Sequence, residues 1–600
     1  MRLLLVLVLT STLAFSQQKD QKIAYHYYIN GEYEKAISIY EELIAKYFSV
    51  AYYTPYFSSL LKVQNYKEAE YLAKRFVKRH PKELQYQLGV IIAQDKSGRD
   101  KKAGVLYSRF LKKIGGGRLQ AIRLANIFIS YEMYEKALEI YIISEKINSS
   151  NNFGIQKAQL FAKTGEIEKM LIEYLNEMER NPMQKQMVTS QVQRFLDNDG
   201  IKSDKNYKLV KKLLLLKVRD EDERTDFTEM LIWFFMQNHQ FKMAFIQAKA
   251  LDKRTGSDGE QIYDLAETLL AKEYFDLAVQ AYDYVINKGE KNYFFVEANI
   301  HKLYALTKSL SVTQENLSII DNIYVETIAN LGKNRNTVLL LSNYAHFKAF
   351  YLDDLTASQE LLQDAMQIPG IDSYDLAECK MEYADVLLLQ GNIWQSMLYY
   401  SQVEKDFKQH PIGHEAKLRI AKISYYQGDF QWAQTQLEVL KASTSKLIAN
   451  NAMKLSLLIT DNYNLDTTEI SMRTFAIADL LCYQQKYDDA ISKYDSILAV
   501  FPGHSLSDEI YMRKAEIYFR EGKIKDALST YEKIEDEWGY DILADDALYN
   551  RAKIYDDVLN NSELAMKLYE KILLEHNSSI YVVESRKRFR NLRGDNLKEE

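Results

Sequence analysis

The sequence predicts an all-α protein, a right-handed superhelical solenoid of helix–turn–helix repeats. Only six prolines and 22 glycines occur among its 600 residues, and both residue types interrupt helices for backbone reasons. A pattern of alanines and tyrosines recurs along most of the chain with a period of about 34 residues. Because such repeats pack only against their neighbours, one array can exceed the roughly 250–300 residues at which a single core stops growing.

Residues 1–16 have the features of a secretory signal peptide. A basic Arg2 precedes the apolar run Leu3–Leu9, and the small residues Ala14 and Ser16 stand before a cleavage position. The apolar run is too short to span a membrane, which takes about 20 residues. No cysteine lies near the cleavage position, so the acyl anchor of bacterial lipoproteins has no attachment point. We expect an exported, soluble, periplasmic chain, peripheral to the outer membrane.

Charge and cysteine content argue against two further features. The 77 basic and 83 acidic residues give a net charge of −6, so no basic field is available to hold nucleic acid. Cys379 and Cys482 lie about three repeats apart, beyond the roughly 7 Å between Cα atoms that a disulfide allows. We therefore expect two buried free thiols.

The N-terminal array covers residues 17–182. Its first copy contains Ala24 in the first helix, Gly31 in the turn, and Ala36 and Tyr40 in the second helix. The alanines let the paired helices approach closely, and the aromatic rings fill the neighbouring grooves. Later second-helix alanines, at spacings of 33, 34 and 34 residues, are Ala69, Ala103 and Ala137, and a fifth copy around Ala158 ends at Pro182.

The middle region, residues 183–335, is less regular. Two copies centred on Ala244 and Ala278 occupy about residues 227–290. Residues 183–226 and 291–335 have helical periodicity without the alanine pattern. We expect off-register helical pairs there that bend the solenoid.

The C-terminal array covers residues 336–600 and ends in a capping helix. The step from Gly391 to Gly428, and again from Ala490 to Ala527, is 37 residues, so three extra residues lengthen a connector or the second helix. About thirteen copies are recognisable in the whole chain by this pattern. The first-helix alanines of this array are Ala345, Ala384, Ala421, Ala478, Ala515 and Ala552.

With this number of copies, the chain resembles a tetratricopeptide-repeat protein over nearly all of its mature length. The stretch from Gly428 through Lys446, with Asp461-Asn462, is similar to one family of exported repeat proteins of Bacteroidota-type bacteria, and so is the ending at Arg586–Asp595. The resemblance implies a cell-envelope protein, and it supplies no catalytic residue and no cofactor.

The sequence contains no recognisable catalytic, cofactor or metal motif. The cluster Gly115–Gly117 lacks the Gly-Lys-Ser/Thr ending of a phosphate-binding loop and is expected to be a connector. His410 and His414 flank Pro411 and Gly413, which we expect to prevent the helical turn that would align both imidazoles on a metal. An enzyme whose site is built across repeats without a linear motif is an alternative. Acidic pairs that we expect to be solvated helix ends are Asp488-Asp489, Asp545-Asp546 and Asp556-Asp557.

The first helix of each repeat is expected to line the inner face of the solenoid. With the first-helix alanine as reference, the inward positions are −3, +1, +4 and +5, one stripe at helical spacing. The mixture of aromatic and acidic residues there suits a peptide or a helix of a partner protein, although some of these residues could be packing between repeats. The candidates are Tyr25, Tyr28, Asn126, Ile129, Phe475, Asp479, Tyr483, Met512, Glu516, Phe519, Tyr549, Lys553 and Asp556.

Three other features bear on binding: the residues at position −3, the connector Lys441–Lys446 and the basic C-terminal end. Cytosolic chaperone-binding repeats hold a C-terminal carboxylate with lysine and asparagine at inward positions. Here position −3 is never lysine, so that role is disfavoured. The connector Lys441–Lys446 could meet a carboxylate or sugar, or could cap the next helix. The basic end is either a membrane or lipopolysaccharide contact or a solvated capping helix, and comprises Arg586, Lys587, Arg588, Arg590 and Arg593.

The sequence therefore predicts a non-enzymatic protein-interaction scaffold in the bacterial cell envelope, supporting an outer-membrane or secretion complex. Its expected partners are other proteins, with membrane contact only indirect or through the basic C-terminus. The alternative is a glycan-associated protein that stacks its inward aromatic rings on peptidoglycan sugars.

Overall fold

The computed structural model describes residues 18–197, 204–220, 224–310, 313–442, 445–463 and 469–594. Within these ranges the chain consists of helices and connecting turns, without strands, which confirms the predicted all-α solenoid. None of the helices in these ranges is long and apolar enough to cross a bilayer. The predicted signal peptide, Ser443-Thr444 in the connector Lys441–Lys446, and Asp595 lie outside the described residues.

The chain forms two compact units, Met1–Phe234 and Phe235–Glu600, called here the N-terminal and C-terminal units. Helices of the N-terminal unit are α1 (18–29), α2 (Tyr33–Tyr47), α3 (Tyr53–Lys62), α4 (Tyr66–Arg79), α5 (Leu84–Lys96), α6 (Asp100–Leu111), α7 (Arg118–Ser130), α8 (Tyr134–Ile147), α9 (Gly154–Thr164), α10 (Ile167–Arg180), α11 (Lys185–Asp197) and α12 (Asp204–Asp220). Helix α13 (Asp226–Gln237) contains the boundary between the units.

The C-terminal unit is a longer succession of helix pairs. Its helices are α14 (Phe241–Thr255), α15 (Glu260–Ala271), α16 (Phe275–Ile286), α17 (Phe295–Ser309), α18 (Gln314–Leu331), α19 (Val338–Tyr351), α20 (Leu355–Met366), α21 (Ser373–Gln390), α22 (Ile393–Asp406), α23 (Pro411–Tyr426), α24 (Phe430–Leu440), α25 (Lys446–Tyr463), α26 (Ile470–Tyr483), α27 (Tyr487–Val500), α28 (Ser507–Arg520), α29 (Ile524–Trp538), α30 (Ala544–Lys553), α31 (Ser562–Glu575) and α32 (Val582–Arg593). A π-helical turn, Ile554–Val558, continues α30.

Alanines and tyrosines hold each pair together as the repeat pattern predicts. Ala478 in α26 and Ala490 in α27 are fully buried, so the two backbones can approach closely. A tyrosine 16 residues after the reference alanine fills the space beside them in most repeats. These tyrosines, all buried, are Tyr40, Tyr141, Tyr174, Tyr282, Tyr400, Tyr494 and Tyr531.

The turn between the helices of a pair needs a left-handed backbone at one position. Gly391 and Gly428 supply it with φ of 94° and 78°, a region that glycine enters without steric cost. Gln485 occupies the same site with φ of 57°. The following helix is often capped by a side chain, as where Asp429 accepts a hydrogen bond of 3.2 Å from the backbone N–H of Trp432.

The segment around His410 differs from the prediction. Helix α23 begins at Pro411, so Pro411 and Gly413 lie in its first turn and do not prevent it. Proline is compatible with this position because the first helical N–H has no partner within the helix. His410 accepts a 3.4 Å hydrogen bond from the N–H of Ile412. In the described ranges, no group of three or more His, Cys, Asp or Glu side chains could hold a metal ion.

Both cysteines are free thiols, as expected, but only Cys379 is fully buried. Burial raises the pKa of Cys379 to about 12 and also raises that of Cys482. Neither thiol is therefore a ready nucleophile at neutral pH.

Candidate binding surfaces

Contacts between repeats that are not neighbours identify the inner face of each unit. In the N-terminal unit, Ser58 on α3 and Tyr131 after α7 share a hydrogen bond of 2.9 Å. In the C-terminal unit, Tyr483 on α26 donates a 2.9 Å hydrogen bond to Asp385 on α21. Helices two repeats apart can touch only on the concave side of a curved stack. The first helices therefore line the inner face within each unit.

The position +1 on this face carries uncharged side chains throughout the repeats of the N-terminal unit. Tyr25 has 53% of its surface exposed and Asn126 is also exposed, whereas Tyr28 is half-buried with its ring 6.0 Å from that of Tyr25. The surface is aromatic and amide-bearing. Aligning the turns places these residues at +1: Tyr25, Ser58, Ile92, Asn126 and Gln159.

The same position carries titratable side chains in the C-terminal unit. His346, for example, contacts Glu382 on the next first helix, with 2.8 Å between Nδ1 and Oε1. Burial raises the pKa of Glu382, and the His346 contact opposes this shift. The residues at +1 are Glu267, His346, Asp385, Lys422, Asp479, Glu516 and Lys553.

Three of these acids belong to a recurring cluster, which we call a polar node. Asp479 accepts a 2.5 Å hydrogen bond from Tyr494 of its own repeat, and Arg513 of the next repeat lies 3.3 Å away. The tyrosine follows the acid by 15 residues and the base follows it by 34. The other nodes are Asp385 with Tyr400 and Arg419, and Glu267 with Tyr282 and His301.

Each node links two repeats through a buried or partly buried carboxylate. The Asp479 carboxylate raises the pKa of Arg513, and burial together with Asp385 raises the pKa of Tyr400. Burial alone would raise the pKa of Glu267, but hydrogen bonds from His301 and Tyr282 lower it below its ordinary value. These groups satisfy one another, so the nodes hold the inner face in one arrangement.

Several predicted contact residues are not accessible. Phe475 and Met512, both at position −3, are buried, and the Phe475 ring lies 5.3 Å from that of Tyr494. The expectation that position −3 faces a partner is wrong at these two sites, because the closely packed helices cover it. Tyr549, also at −3, is half-buried and stacks on Tyr581 with 4.2 Å between ring centroids.

The remaining candidates divide into engaged and accessible residues. Asp479 and Tyr483 are engaged in the nodes described above, and Ile129 is half-buried. Phe519 is 40% exposed, Lys553 is exposed, and the Glu516 side chain keeps 37% of its surface. With Tyr25, Tyr28 and Asn126, these form the inner-face residues that a partner can reach.

In two of the acidic pairs, one member is bonded within the protein and is not a freely solvated charge. Asp546 accepts a 2.6 Å hydrogen bond from Tyr581, and Asp556 accepts one of 3.1 Å from Tyr569. Asp488 and Asp489 are exposed, as expected.

The basic C-terminal end also contains both a bonded residue and exposed ones. Arg588 on the capping helix α32 contacts Asp556 at 2.8 Å and Asp557 at 2.7 Å, which joins the cap to the π-helical turn. The exposed members of the predicted basic end are Arg586, Lys587, Arg590 and Arg593.

The bases of the nodes and the lysine at +1 in α23 were not predicted from the sequence. Arg419 and Arg513 stand two residues before a reference alanine, a position that the inward stripe did not include. Their signal was the 34-residue spacing from Asp385 and Asp479. Lys422 occupies +1 in α23, where the repeats on either side have an acid.

Two segments match family models described as tetratricopeptide repeat. They cover residues 475–542 and 546–579, which correspond to the helix pairs α26–α29 and α30–α31. The chain contains tetratricopeptide repeats. No curated protein matches the sequence.

Two solved structures resemble the chain weakly. One, described as Naa15/Naa10 bound to HypK-THB, has a TM-score of 0.27 and 13% identity and covers 97% of this chain and 94% of that chain. The other, described as the APC/C hetero-tetramer Cut9-Hcn1, has a TM-score of 0.27 and 10% identity and covers 89% of this chain and 96% of that chain.

Proposed function

We propose that the protein is an exported, non-enzymatic scaffold of the bacterial cell envelope. It holds segments of other proteins on the inner faces of its repeats, in support of an outer-membrane or secretion complex. The observation that carries the proposal is the division of the inner face into locked and free positions. Polar nodes such as Asp479 with Tyr494 hold part of the inner face in one arrangement. Other inward side chains, such as Tyr25 and Phe519, remain exposed.

An inner face that is held in one arrangement and carries exposed side chains is suited to binding a partner protein. A surface that is already ordered loses little conformational entropy when a partner binds. Exposed aromatic rings supply rigid contact area, and in the C-terminal unit Glu516 and Lys553 supply charges that fix orientation. The same division gives no support to catalysis, because the acids in the nodes are bound to tyrosines and arginines of the protein itself.

Affinity capture of the tagged, full-length protein from its native envelope, after mild cross-linking, tests the proposal. We expect one reproducible set of proteins, reduced by the variants Tyr25→Ala or Phe519→Ala. Trp394→Ala is the matched control, because Trp394 is 74% exposed on the second helix α22 and does not face the inner side. Partners retained equally by all three variants would contradict inner-face binding. Capture of glycan fragments without protein would favour the glycan-associated alternative.

Localisation has its own test. Fractionation followed by N-terminal sequencing is expected to find the chain in the periplasmic fraction, beginning at Gln17. Recovery of the intact Met1 N-terminus from the cytoplasm would overturn the export part of the proposal.

A further inference from the structure

Helix α32 has one side fixed against the protein and the opposite side exposed. Phe589 and Leu592 pack against buried residues of α30 and α31, so this side of the helix faces inward. The opposite side carries Val583, Lys587 and Arg590, which follow one another at four and three residues and therefore lie on one stripe. All three are exposed. We call this stripe and its flanking residues the outward face of α32.

Few acids neutralise the bases of the outward face. Arg586 and Arg590 are exposed and make no ion pair with any residue that the structure describes. Lys587 has a carboxylate oxygen of Glu584 3.9 Å from its ammonium, a loose surface pair that contributes little. Arg593 in the last turn of the helix is exposed as well. The outward face is therefore an excess of positive charge on a chain whose net charge is −6.

Two aliphatic side chains lie beside these bases. Val583 is 76% exposed, and Ile580, three residues earlier in the turn before the helix, is 79% exposed. Within Val582–Arg593, all of which the structure describes, no aromatic ring is exposed. Interfaces between proteins are enriched in aromatic residues and depleted in lysine. Bases beside exposed aliphatic side chains are instead typical of helices that lie on anionic lipid.

The shape of the outward face also favours a flat partner. Its residues belong to one helix and the turn before it, and the surface of a single helix is convex. A bound peptide needs a groove or a sheet edge, whereas a bilayer surface needs neither. The long arginine and lysine side chains can reach headgroup phosphates while the aliphatic side chains enter the boundary with the acyl chains.

We propose that the outward face of α32 docks on the surface of an anionic phospholipid bilayer. Arg586, Lys587 and Arg590 donate to headgroup phosphates, and Ile580 and Val583 insert between the headgroups. The inference goes beyond the proposed function, because it adds a membrane contact that binding on the inner face does not require. Of the two interpretations of the basic C-terminal end, it favours membrane contact over a solvated capping helix.

Co-sedimentation of the full mature chain with large lipid vesicles tests the proposal. One set of vesicles mixes phosphatidylglycerol with phosphatidylcholine, and the other contains phosphatidylcholine alone. We expect the protein to sediment with the mixed vesicles and to stay in solution with the neutral ones. Binding should weaken as salt is added, because salt screens the attraction between the bases and the headgroups.

A pair of matched double variants separates the outward face from general electrostatics. Each base near an anionic surface contributes a factor of roughly five to binding, so Arg586→Gln with Arg590→Gln should weaken it roughly 25-fold. Lys405→Gln with Lys408→Gln makes the same charge change at exposed positions at the end of α22 and just after it. This control is expected to bind like the unmodified protein.

The aliphatic side chains have a variant of their own. Ile580→Ser with Val583→Ser leaves the charge unchanged and removes the apolar contact, so we expect binding to weaken roughly tenfold at every salt concentration. Circular dichroism checks that each variant is folded. Soluble polyglutamate, added at the same concentration of negative charge as the lipid, is expected to displace little of the protein, because it offers no apolar layer.

Four results would overturn the proposal: no binding to the mixed vesicles, equal loss in the arginine and lysine variants, unchanged binding in the serine variant, or complete displacement by polyglutamate. The last result would assign the outward face to an acidic protein. If the mixed vesicles are not bound while envelope proteins are still captured through Tyr25 and Phe519, this inference fails and the scaffold function stands.

Discussion

The two units build the same repeat but place different chemistry at the same inward position. In the N-terminal unit the residues at +1 are uncharged, as with Tyr25 and Asn126, whereas in the C-terminal unit they are titratable, as with Asp385 and Asp479. Both units bury the alanines and the tyrosine that pack the helix pair. The packing of the helix pair therefore does not fix whether this position is charged, and its side chain can serve linkage between repeats or contact with partners.

The difference changes what holds non-adjacent repeats together. In the N-terminal unit the link is neutral, a hydroxyl pair between Ser58 and Tyr131. In the C-terminal unit the link is ionic, because Asp385 accepts from Tyr483 and Tyr400 and is paired with Arg419. Removing one member of a buried ionic cluster leaves an unpaired charge, whereas removing a hydroxyl leaves only a lost hydrogen bond.

The variant Asp385→Ala is expected to have the largest effect. It removes the more buried of the two carboxylate partners of Arg419, which keeps Glu415, and it removes the acceptor of two tyrosine hydroxyls. Breaking a buried pair costs about 3–5 kcal/mol. Hydrogen exchange followed by mass spectrometry should show lost protection across α21–α23. The control Asn126→Ala, exposed at the same position of the N-terminal unit, should stay within about 0.5 kcal/mol in urea unfolding. Similar losses of stability in the two variants would contradict the conclusion that the charged +1 position contributes more to stability than the uncharged one.

Tyr483→Phe tests the ionic link with a smaller change. It removes the 2.9 Å hydrogen bond to Asp385 and keeps the ring, and hydrogen bonds to charged groups contribute about 1.5–3 kcal/mol. We expect a loss of about 2 kcal/mol in urea unfolding followed by circular dichroism. In the Asp385→Ala background the same change should cost much less, since its acceptor is gone, and a full additional loss there would mean that Tyr483 acts through another contact.

Charge in the C-terminal unit should also make its stability depend on pH. Burial, followed by the neighbouring Asp508, raises the pKa of Glu509 to about 9, whereas the unfolded chain has about 4.3. The folded state then holds a proton that the unfolded state has lost, so stability falls as pH rises from about 5 to about 9. For one proton the slope is at most about 1.4 kcal/mol per pH unit. Urea unfolding across this range should show it, and Glu509→Gln should flatten it.

An unchanged slope in Glu509→Gln would assign the pH dependence of stability to another group.

In the N-terminal unit, the pKa of Glu70 is shifted in the opposite direction. Burial opposes the shift, but hydrogen bonds from Lys74, Gln94 and Arg99 lower the pKa of Glu70 to about 2. Its contribution to stability is present above pH about 4.3 and is lost only as pH falls towards 2, outside the range tested.

The fold was predictable because it depends on residues with local requirements. Ala478 and Ala490 must be small where the helices cross, and Gly428 must adopt positive φ in the turn, so each leaves a periodic mark in the sequence. A local error in the helix assignment, at His410, came from treating Pro411 as a helix breaker where it starts α23.

The state of the inner face was predictable only in part. The +1 and +4 positions Glu516, Phe519 and Lys553 are accessible, but whether an inward residue is free depends on how closely repeats two apart approach. That distance is set by the curvature of the stack, which no single repeat encodes. Tyr483 is consequently engaged by a repeat two apart, and Asp479 is engaged by its own repeat and the next one. Their positions in the stripe are nevertheless the same as those of accessible residues.

The smallest effect belongs to the neutral link of the N-terminal unit. Tyr131→Phe removes the 2.9 Å hydrogen bond to Ser58 but keeps the ring contact with Phe57, 6.0 Å between centroids. A neutral hydrogen bond contributes about 0.5–1.5 kcal/mol, so we expect a loss of about 1 kcal/mol, with protection reduced only near α3 and α7. Ser58→Ala should match it, and the double variant should cost no more than either alone. A cost as large as that of Tyr483→Phe would show that the curvature of both units depends equally on these links, with or without charge.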